Sequence, residues 1–249
     1  MPLGALSLPT LKFDVKRLAR YDDPREMPAY TVAEAAHYLS IPKATVSSWV
    51  RGRTYPVADG SRKRFHSVID LPDRKLGLLS FYNLAEAHIL RALRTSYKIR
   101  LPHIRKALSY VRKECGWDRP LIQAQFKTDG VSLFVNQLGK LVDAAAQGQL
   151  VMAEILTHLD RIDWENHLAV RIYPFTRVAS EELSPRSVVI DPLRAFGRPL
   201  LDKLGVTTSV IAERYKAGDS IELLMRDYGG SQVDIQEAIR CELQIATAA

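Results

Sequence analysis

Lys43, Thr45, Ser47, Ser48, Arg51 and Arg53 stand within eleven residues of one another, and Arg62, Lys63 and Arg64 follow as an unbroken cationic run. Ammonium and guanidinium groups bond phosphate oxygens. Hydroxyls, Lys and Arg set at helical spacing can also reach base edges in a major groove. The chemistry open to this pattern is recognition of a polyanion. Bond-making chemistry has no comparable signature. There is no nucleophile elbow, no P-loop, no pair of histidines at metal-ligand spacing and no carboxylate pair with a reason for a shifted pKa. The chain is read as non-enzymatic, with no cofactor and no metal.

The recognition residues need a rigid carrier, and Thr31 to Arg51 supplies one. Thr31 with Glu34 makes a capping box, and Val32, Ala35, Ala36 and Leu39 recur at helical spacing. Ser40-Ile41-Pro42 breaks that helix, and Pro42 suits the first turn of another. Ala44, Val46, Trp49 and Val50 anchor the second helix, and Gly52 ends it. Small Ala36 lets the two helices cross closely. Lys43, Ser47, Ser48 and Arg51 then remain on the outer face, with Thr45 at its edge. This is the spacing of a helix-turn-helix. Asp59-Gly60, a hairpin-turn signal, sits among Arg53, Arg62, Lys63 and Arg64, with Arg74 and Lys75 beyond. A basic hairpin directly after a recognition helix is a wing, and its return is expected through a strand near Leu76 to Ser80.

The charge distribution agrees. The formal charge is +7 over 249 residues, but residues 1–130 carry 23 Lys+Arg against 12 Asp+Glu, and residues 131–249 carry 12 against 16. The first half suits nucleic acid and the second does not. Cys115 and Cys241, each on an expected helix, make neither a disulfide framework nor a zinc spacing, which fits a reducing cytosol. No signal peptide and no membrane span are read, so a cytoplasmic protein is expected.

The expected fold is mainly α with a small α+β middle segment. Residues 1–29 form an N-terminal arm. Residues 30–118 form the winged helix-turn-helix with two following helices, Leu84–Thr95 opened by Asn83 and Glu86, and His103–Cys115 opened by Pro102. His88 falls on the buried side as a packed core histidine. Residues 119–175 form the α+β segment. LIQAQF, VSLFVNQ and KLVDAAA read as a three-stranded meander turning at Asp129-Gly130, then a helix over Gln149–Ile162 and a strand over Ala169–Tyr173. Asp160 and Asp163, one turn apart, read as solvated. Residues 176–187 read as a linker. Residues 188–249 form a small helical unit with helices capped at Thr207 or Thr208, at Ser220, and at Ser231 with Asp234. Its last helix-turn-helix-like hairpin would expose Gln232, Asp234, Gln236, Glu237 and Glu242 beside Arg240. Carboxylates repel phosphate, so this hairpin is read as a protein-binding element.

Two resemblances meet in these segments. TVAEAAHYL…TVSSWVRGR with its wing is similar to the MerR-like winged-helix domains. VVIDPLRAFGRPLLDKLGVTTSVIAERYKAGDSIELLMRDYGGSQVDIQEAI resembles the small helical domain of unknown function that accompanies PIN-type toxins in prokaryotes. Together they resemble the two-domain VapB-type antitoxins. The resemblance implies a type II toxin–antitoxin system: a PIN-like ribonuclease toxin as partner, and repression of the antitoxin's own operon. PIN-like sites are carboxylate clusters around divalent metal, and a neutralising partner often supplies an arginine. Arg194, Arg198, Arg214 and Arg226 are the candidates. A homodimer on double-stranded operator DNA with a pseudo-palindromic site is expected. The alternative is a stand-alone MerR-like regulator whose C-terminal part senses a ligand or oligomerises.

Overall fold

The structure, a computed structural model, describes residues 21–56, 62–95, 99–141, 148–177 and 183–243. Its first helices are α1 (Val32–Tyr38) and α2 (Lys43–Arg51). The capping box is formed: the Glu34 N–H donates to Thr31 Oγ1 at 3.1 Å, and the Thr31 N–H donates back to Glu34 Oε2 at 2.8 Å. Ala35, Ala36, Val46 and Trp49 are buried where the two helices cross. Gly52 closes α2 at φ 75° with its N–H on the Ser48 carbonyl. A short antiparallel hairpin follows, β1 (Arg53–Pro56) and β2 (Arg62–Phe65), in a register that pairs Thr54 with Arg64. The Asp59-Gly60 turn lies outside the described residues. The return strand of the hairpin is β2. Residues 76–80 contribute only isolated pairings, Leu79 with Tyr30 and Leu78 with Asp73, because the connector is spent tying down the start of α1.

Helix α3 (Phe81–Thr95) begins earlier than its sequence signal. Ser80 is the cap: the Asn83 N–H donates to Ser80 Oγ at 3.2 Å and the Ser80 N–H donates to Asn83 Oδ1 at 3.1 Å. Asn83 therefore sits inside the first turn, and its amide reaches Glu86 and the Asp70 carbonyl. Helix α4 (Leu101–Cys115) ends on Gly116 in the left-handed region.

Over the described residues the expected meander is helical, and most of its third strand, residues 142–146, lies outside them. Pro120–Ile122 is one buried 3-10 turn, Phe126–Gly130 is a π-turn, and α5 (Val131–Leu141) follows directly. Val131, Phe134, Val135 and Leu138 are all buried, and their spacing of i, i+3, i+4 and i+7 is one helix face. β-branched composition had outweighed that period. Gly130 is no hairpin turn. A Cβ there would meet the Phe126 ring at 2.5 Å, so the missing side chain lets the π-turn run into α5. Helix α6 (Gly148–Leu159) stops three residues short of Ile162, which opens a hairpin, β3 (Ile162–Glu165) with β4 (Leu168–Ile172). Asp160 and Asp163 are each ion-paired, with Lys127 and Arg186. One apolar core runs from Tyr30 through α1–α6 to Ile172 and Ile190.

A second core is built by β5 (Val188–Val189), β6 (Leu200–Leu201), α7 (Thr208–Lys216), α8 (Ile221–Tyr228) and α9 (Gln232–Leu243), around Ile211, Leu224, Ile235 and Ala238. The described ends of the expected linker are held in place. Thr176 and Arg177 bond Glu237, and Arg161 donates to the Ser184 and Pro185 carbonyls.

The second unit is docked on α1. The Tyr30 hydroxyl donates to the Gly197 carbonyl at 3.0 Å, and Arg198 bonds both Glu34 and the Tyr38 hydroxyl. Gly197 has φ +74°, and a Cβ there would meet Tyr30 Oη at 2.3 Å. We expect Gly197→Ala to cost about 2–4 kcal/mol in urea unfolding, from the left-handed backbone together with overpacking. Adding Tyr30→Phe should return part of that loss, since the nearest remaining ring carbon is at 3.2 Å. Equal stability of Gly197→Ala and the parent chain would count against this docking.

Candidate nucleic-acid interface

Helix α2 is fixed from behind. Val46 and Trp49 are fully buried, and the Trp49 carbonyl accepts from the N–H groups of Val68 at 2.8 Å and Ile69 at 3.1 Å. The connector after the hairpin is thereby bonded to the C-terminal end of α2, so helix and hairpin are set relative to one another. On the front, Lys43 and Arg51 are exposed and Thr45, Ser47 and Ser48 are half-buried. Ser48 differs from the others: its hydroxyl donates to the Thr45 carbonyl at 2.7 Å, so towards a ligand it is left as an acceptor. Arg53, Arg62 and Arg64 are exposed along the hairpin.

Two clefts flank α2. One, of about 500 Å³, is lined by Arg51, Arg64, Arg74 and Lys75, with His66 and Asp70. It joins the end of α2, the hairpin and the connector, which the sequence separates by more than twenty residues. The other, of about 580 Å³, lies along Thr45, Ser47 and Ser48 and is closed by Arg53, Arg100 and Pro102. Local spacing does not single out Arg100. Its place beside the front of α2 follows from the start of α4 at Leu101. The local field is positive. The His103 imidazole is held below its ordinary pKa, first by desolvation and then by Arg100 and Lys106. A surface of this sign and curvature can hold phosphates and present hydroxyls and cations to a groove.

The acidic face expected on the last helix is absent. Glu237 is fully buried, where it takes Arg177 at 2.6 Å and also pairs with Arg240. Glu242 bonds Thr208 and lies 3.9 Å from His37 on α1. Both carboxylates turn inward because α9 is packed against α7 and α1, and each meets a donor there. The four arginines considered for a protein partner are separated. Arg194 bonds the Asp202 carboxylate at 2.6 Å and its carbonyl at 2.7 Å, and Arg198 is held by Glu34 and Tyr38. Arg214 bridges Asp219 and Asp227. Among the described residues Arg226 has only Asp227, at 3.8 Å, with 78% of its side chain exposed.

Residues 28–108 match the family described as "Putative DNA-binding HTH domain". The N-terminal part is a helix-turn-helix domain. Residues 188–240 match the family described as "Protein of unknown function (DUF433)". The chain is similar to "Putative antitoxin VapB45" of Mycobacterium tuberculosis (strain ATCC 25618 / H37Rv), with 26% identity over 231 residues that cover 86% of this chain and 93% of that protein. It is also similar to the X-ray crystal structure of Rv2018 from Mycobacterium tuberculosis, with a TM-score of 0.60 and 25% identity over 86% of this chain and 98% of that one. Among the described residues no helix is long and apolar enough to cross a membrane.

Proposed function

We propose that this chain is the antitoxin of a type II toxin–antitoxin system, a non-enzymatic protein that binds a PIN-like ribonuclease and represses its own operon. Helix α2 reads the major groove through Lys43, Thr45, Ser47, Ser48 and Arg51. The β1–β2 hairpin acts as a wing in the MerR-like manner, with Arg53, Arg62, Lys63 and Arg64 on phosphates. The protein binds double-stranded operator DNA as a homodimer, so the operator is a pseudo-palindrome with half-sites whole turns apart. The toxin is taken by the unit over residues 188–249. Of its four candidate arginines, Arg226 is the one whose exposure and weak ion pair leave it available to a carboxylate cluster.

The observation that carries this reading is the joint placement of Arg51, Arg64, Arg74 and Lys75 around one cleft at the end of a helix-turn-helix. The likeness to a protein named as an antitoxin along most of both chains supports the second half of it. The test is co-expression with the product of the gene that adjoins this one in its native genome. We expect a co-purifying complex, ribonuclease activity of the partner that this chain suppresses, and retention of the DNA segment upstream of the gene pair. A chain that binds neither the partner nor that segment would remove the proposal.

A further inference from the structure

A third cleft, of about 130 Å³, lies between residues 67–70 of the connector, Glu86 on α3 and one face of α4. Arg105, Leu108, Ser109 and Arg112 share that face, at i, i+3, i+4 and i+7. Charges of both signs line the cleft and are not spent on one another. Glu86 has 12% of its side chain exposed, and both its bonds, from the Asn83 amide at 3.1 Å and from Arg119 at 3.4 Å, fall on Oε2. Among the described residues Oε1 accepts from no donor. Burial pushes the Glu86 carboxyl above its ordinary range, with Arg119 and Asn83 opposing it. On the other side, Arg112 acts on Glu86 through its field and not through a hydrogen bond. Arg105 gives one Nη to the His66 carbonyl, and among the described residues its buried Nε has no partner. Desolvation holds that guanidinium below its ordinary value, and no carboxylate offsets it. Asp70 is the exception, held by Arg74 at 3.2 Å. A donor and an acceptor left unmet in one cleft are satisfied together by a ligand that brings both complements.

We propose that this cleft binds a small zwitterion, a short α-amino acid, with its carboxylate on Arg105 and Arg112 and its ammonium on Glu86. The volume sets the size. A cavity of about 150 Å³ takes one benzene ring, so glycine, alanine and serine fit and longer side chains do not. The charges set the class. A lone anion such as phosphate would meet the Glu86 and Asp70 carboxylates as well as the two arginines, and a lone amine would leave the arginines unmet. The site is joined to the helix-turn-helix through its wall. The Val68 and Ile69 N–H groups bond the Trp49 carbonyl of α2, the Asn83 amide holds the Asp70 carbonyl at 3.0 Å, and Arg105 holds the His66 carbonyl just after β2. A ligand drawn onto Arg105 therefore acts on the side chain that fastens the hairpin end to α4. Occupancy steadies the hairpin against α2 and tightens operator binding, and operator tightens the ligand by the same factor. This coupling rests on the reading of α2 as the DNA-reading helix, and the binding site does not.

The test is isothermal titration of the full chain with glycine, L-alanine and L-serine, set against ethylamine, propionate and inorganic phosphate. At least one of the amino acids should bind. Ethylamine and propionate, each L-alanine without one of its charges, should bind about 10-fold more weakly or worse. Glu86→Gln and Arg105→Gln should each weaken the amino acid by about 10-fold or more. Ser109 is exposed on α4, so Ser109→Phe narrows the cleft without touching its charges, and it should abolish binding at an unchanged melting temperature even if a charge variant folds poorly. The bound amino acid should raise operator affinity about 5-fold or more. No binding of any of the three at about 10 mM would overturn the site, as would binding that survives Ser109→Phe. Phosphate binding as tightly as the amino acid would overturn the zwitterion in favour of a plain anion. Ligand binding with operator affinity unchanged would overturn the coupling. A chain that binds the amino acid and no DNA at all would remove the DNA reading and leave the site standing.

Discussion

A chain carrying Arg62→Ala, Lys63→Ala and Arg64→Ala is expected to bind duplex DNA with a visibly flatter salt dependence. Each phosphate contact releases about 0.9 of a condensed counterion and so adds about 0.9 to the slope of log K against log salt; three lost contacts take about 2.7 from that slope per bound chain. Between 50 and 200 mM salt the advantage of the parent chain should then shrink about 40-fold on the same relation. The loss should be nearly the same for operator and for random duplex, because a hairpin on the backbone positions the domain without reading bases. Arg51→Ala is the contrasting case. It stands at the end of α2 and in the cation-lined cleft, so it should lower the preference for operator over random sequence as well as the affinity. Titrations followed by fluorescence anisotropy at four or more salt concentrations measure both quantities. An unchanged slope in the triple variant would take the hairpin out of the interface.

Acid should unfold this protein earlier than carboxylate titration alone would. His88 and His158 are 1% exposed, with rings 5.0 Å apart; His88 stacks on Phe175, and His158 packs against the same ring at a 60° tilt. The guanidinium groups of Arg91 and Arg161 lie 5.4 and 5.0 Å from the same ring. Burial, first of all, and these cations hold His158 down at about 3 and His88 well below its ordinary value. Both imidazoles are therefore neutral in the folded state. The His88 Nε2 faces the His158 carbonyl at 3.1 Å, which makes it the protonated nitrogen of the neutral ring.

In the unfolded chain both titrate near 6.5. Above that pH neither state takes up a proton and these residues leave stability flat. Below it only the unfolded state does, so stability falls as pH falls, across a window that runs down to about 3 for His158. For His158 the slope approaches about 1.4 kcal/mol per pH unit, or about 3 kcal/mol by pH 4.5, and His88 adds to it in the same direction. That is a large share of the stability of an ordinary domain.

Urea unfolding at half-unit steps from pH 7.5 to 4.5 measures it. His158→Phe is the decisive variant. The Nδ1 of His158 faces the Glu154 carbonyl at 3.1 Å and the Glu154 carboxylate at 3.9 Å, and among the described residues Nε2 has no hydrogen-bond partner, so a phenyl ring keeps most of the packing. The slope should fall in that variant and leave the share that His88 contributes. A parent chain equally stable at pH 7 and pH 5 would mean that the two rings are open to water.

Local signals in the sequence determined the elements proposed to carry recognition. Thr31 and Glu34 specify the start of α1, Ser40 and Pro42 the turn, Val46 and Trp49 the buried side of α2, and Gly52 its end. Each acts over one helical turn, so spacing alone is enough to place Lys43, Ser47 and Arg51 on the outer face. The same locality misled for residues 121–141, where β-branched residues outvoted a helical period. It also misled at Asn83, whose capping geometry belongs to Ser80.

Tertiary structure alone decided what long-range electrostatics and packing control. Arg74 and Lys75 lie beyond the basic hairpin in sequence and Arg100 lies further still, and only the connector and α4 place them beside α2. Glu237 looked like part of a solvated acidic face and is instead buried under Arg177 and Arg240. A buried charge needs its counter-ion, and here one of those counter-ions is sixty residues away in sequence. Gly197 belongs to the same class. Nothing near it in the sequence contains Tyr30, which receives the Gly197 end of the docking of the C-terminal unit on α1.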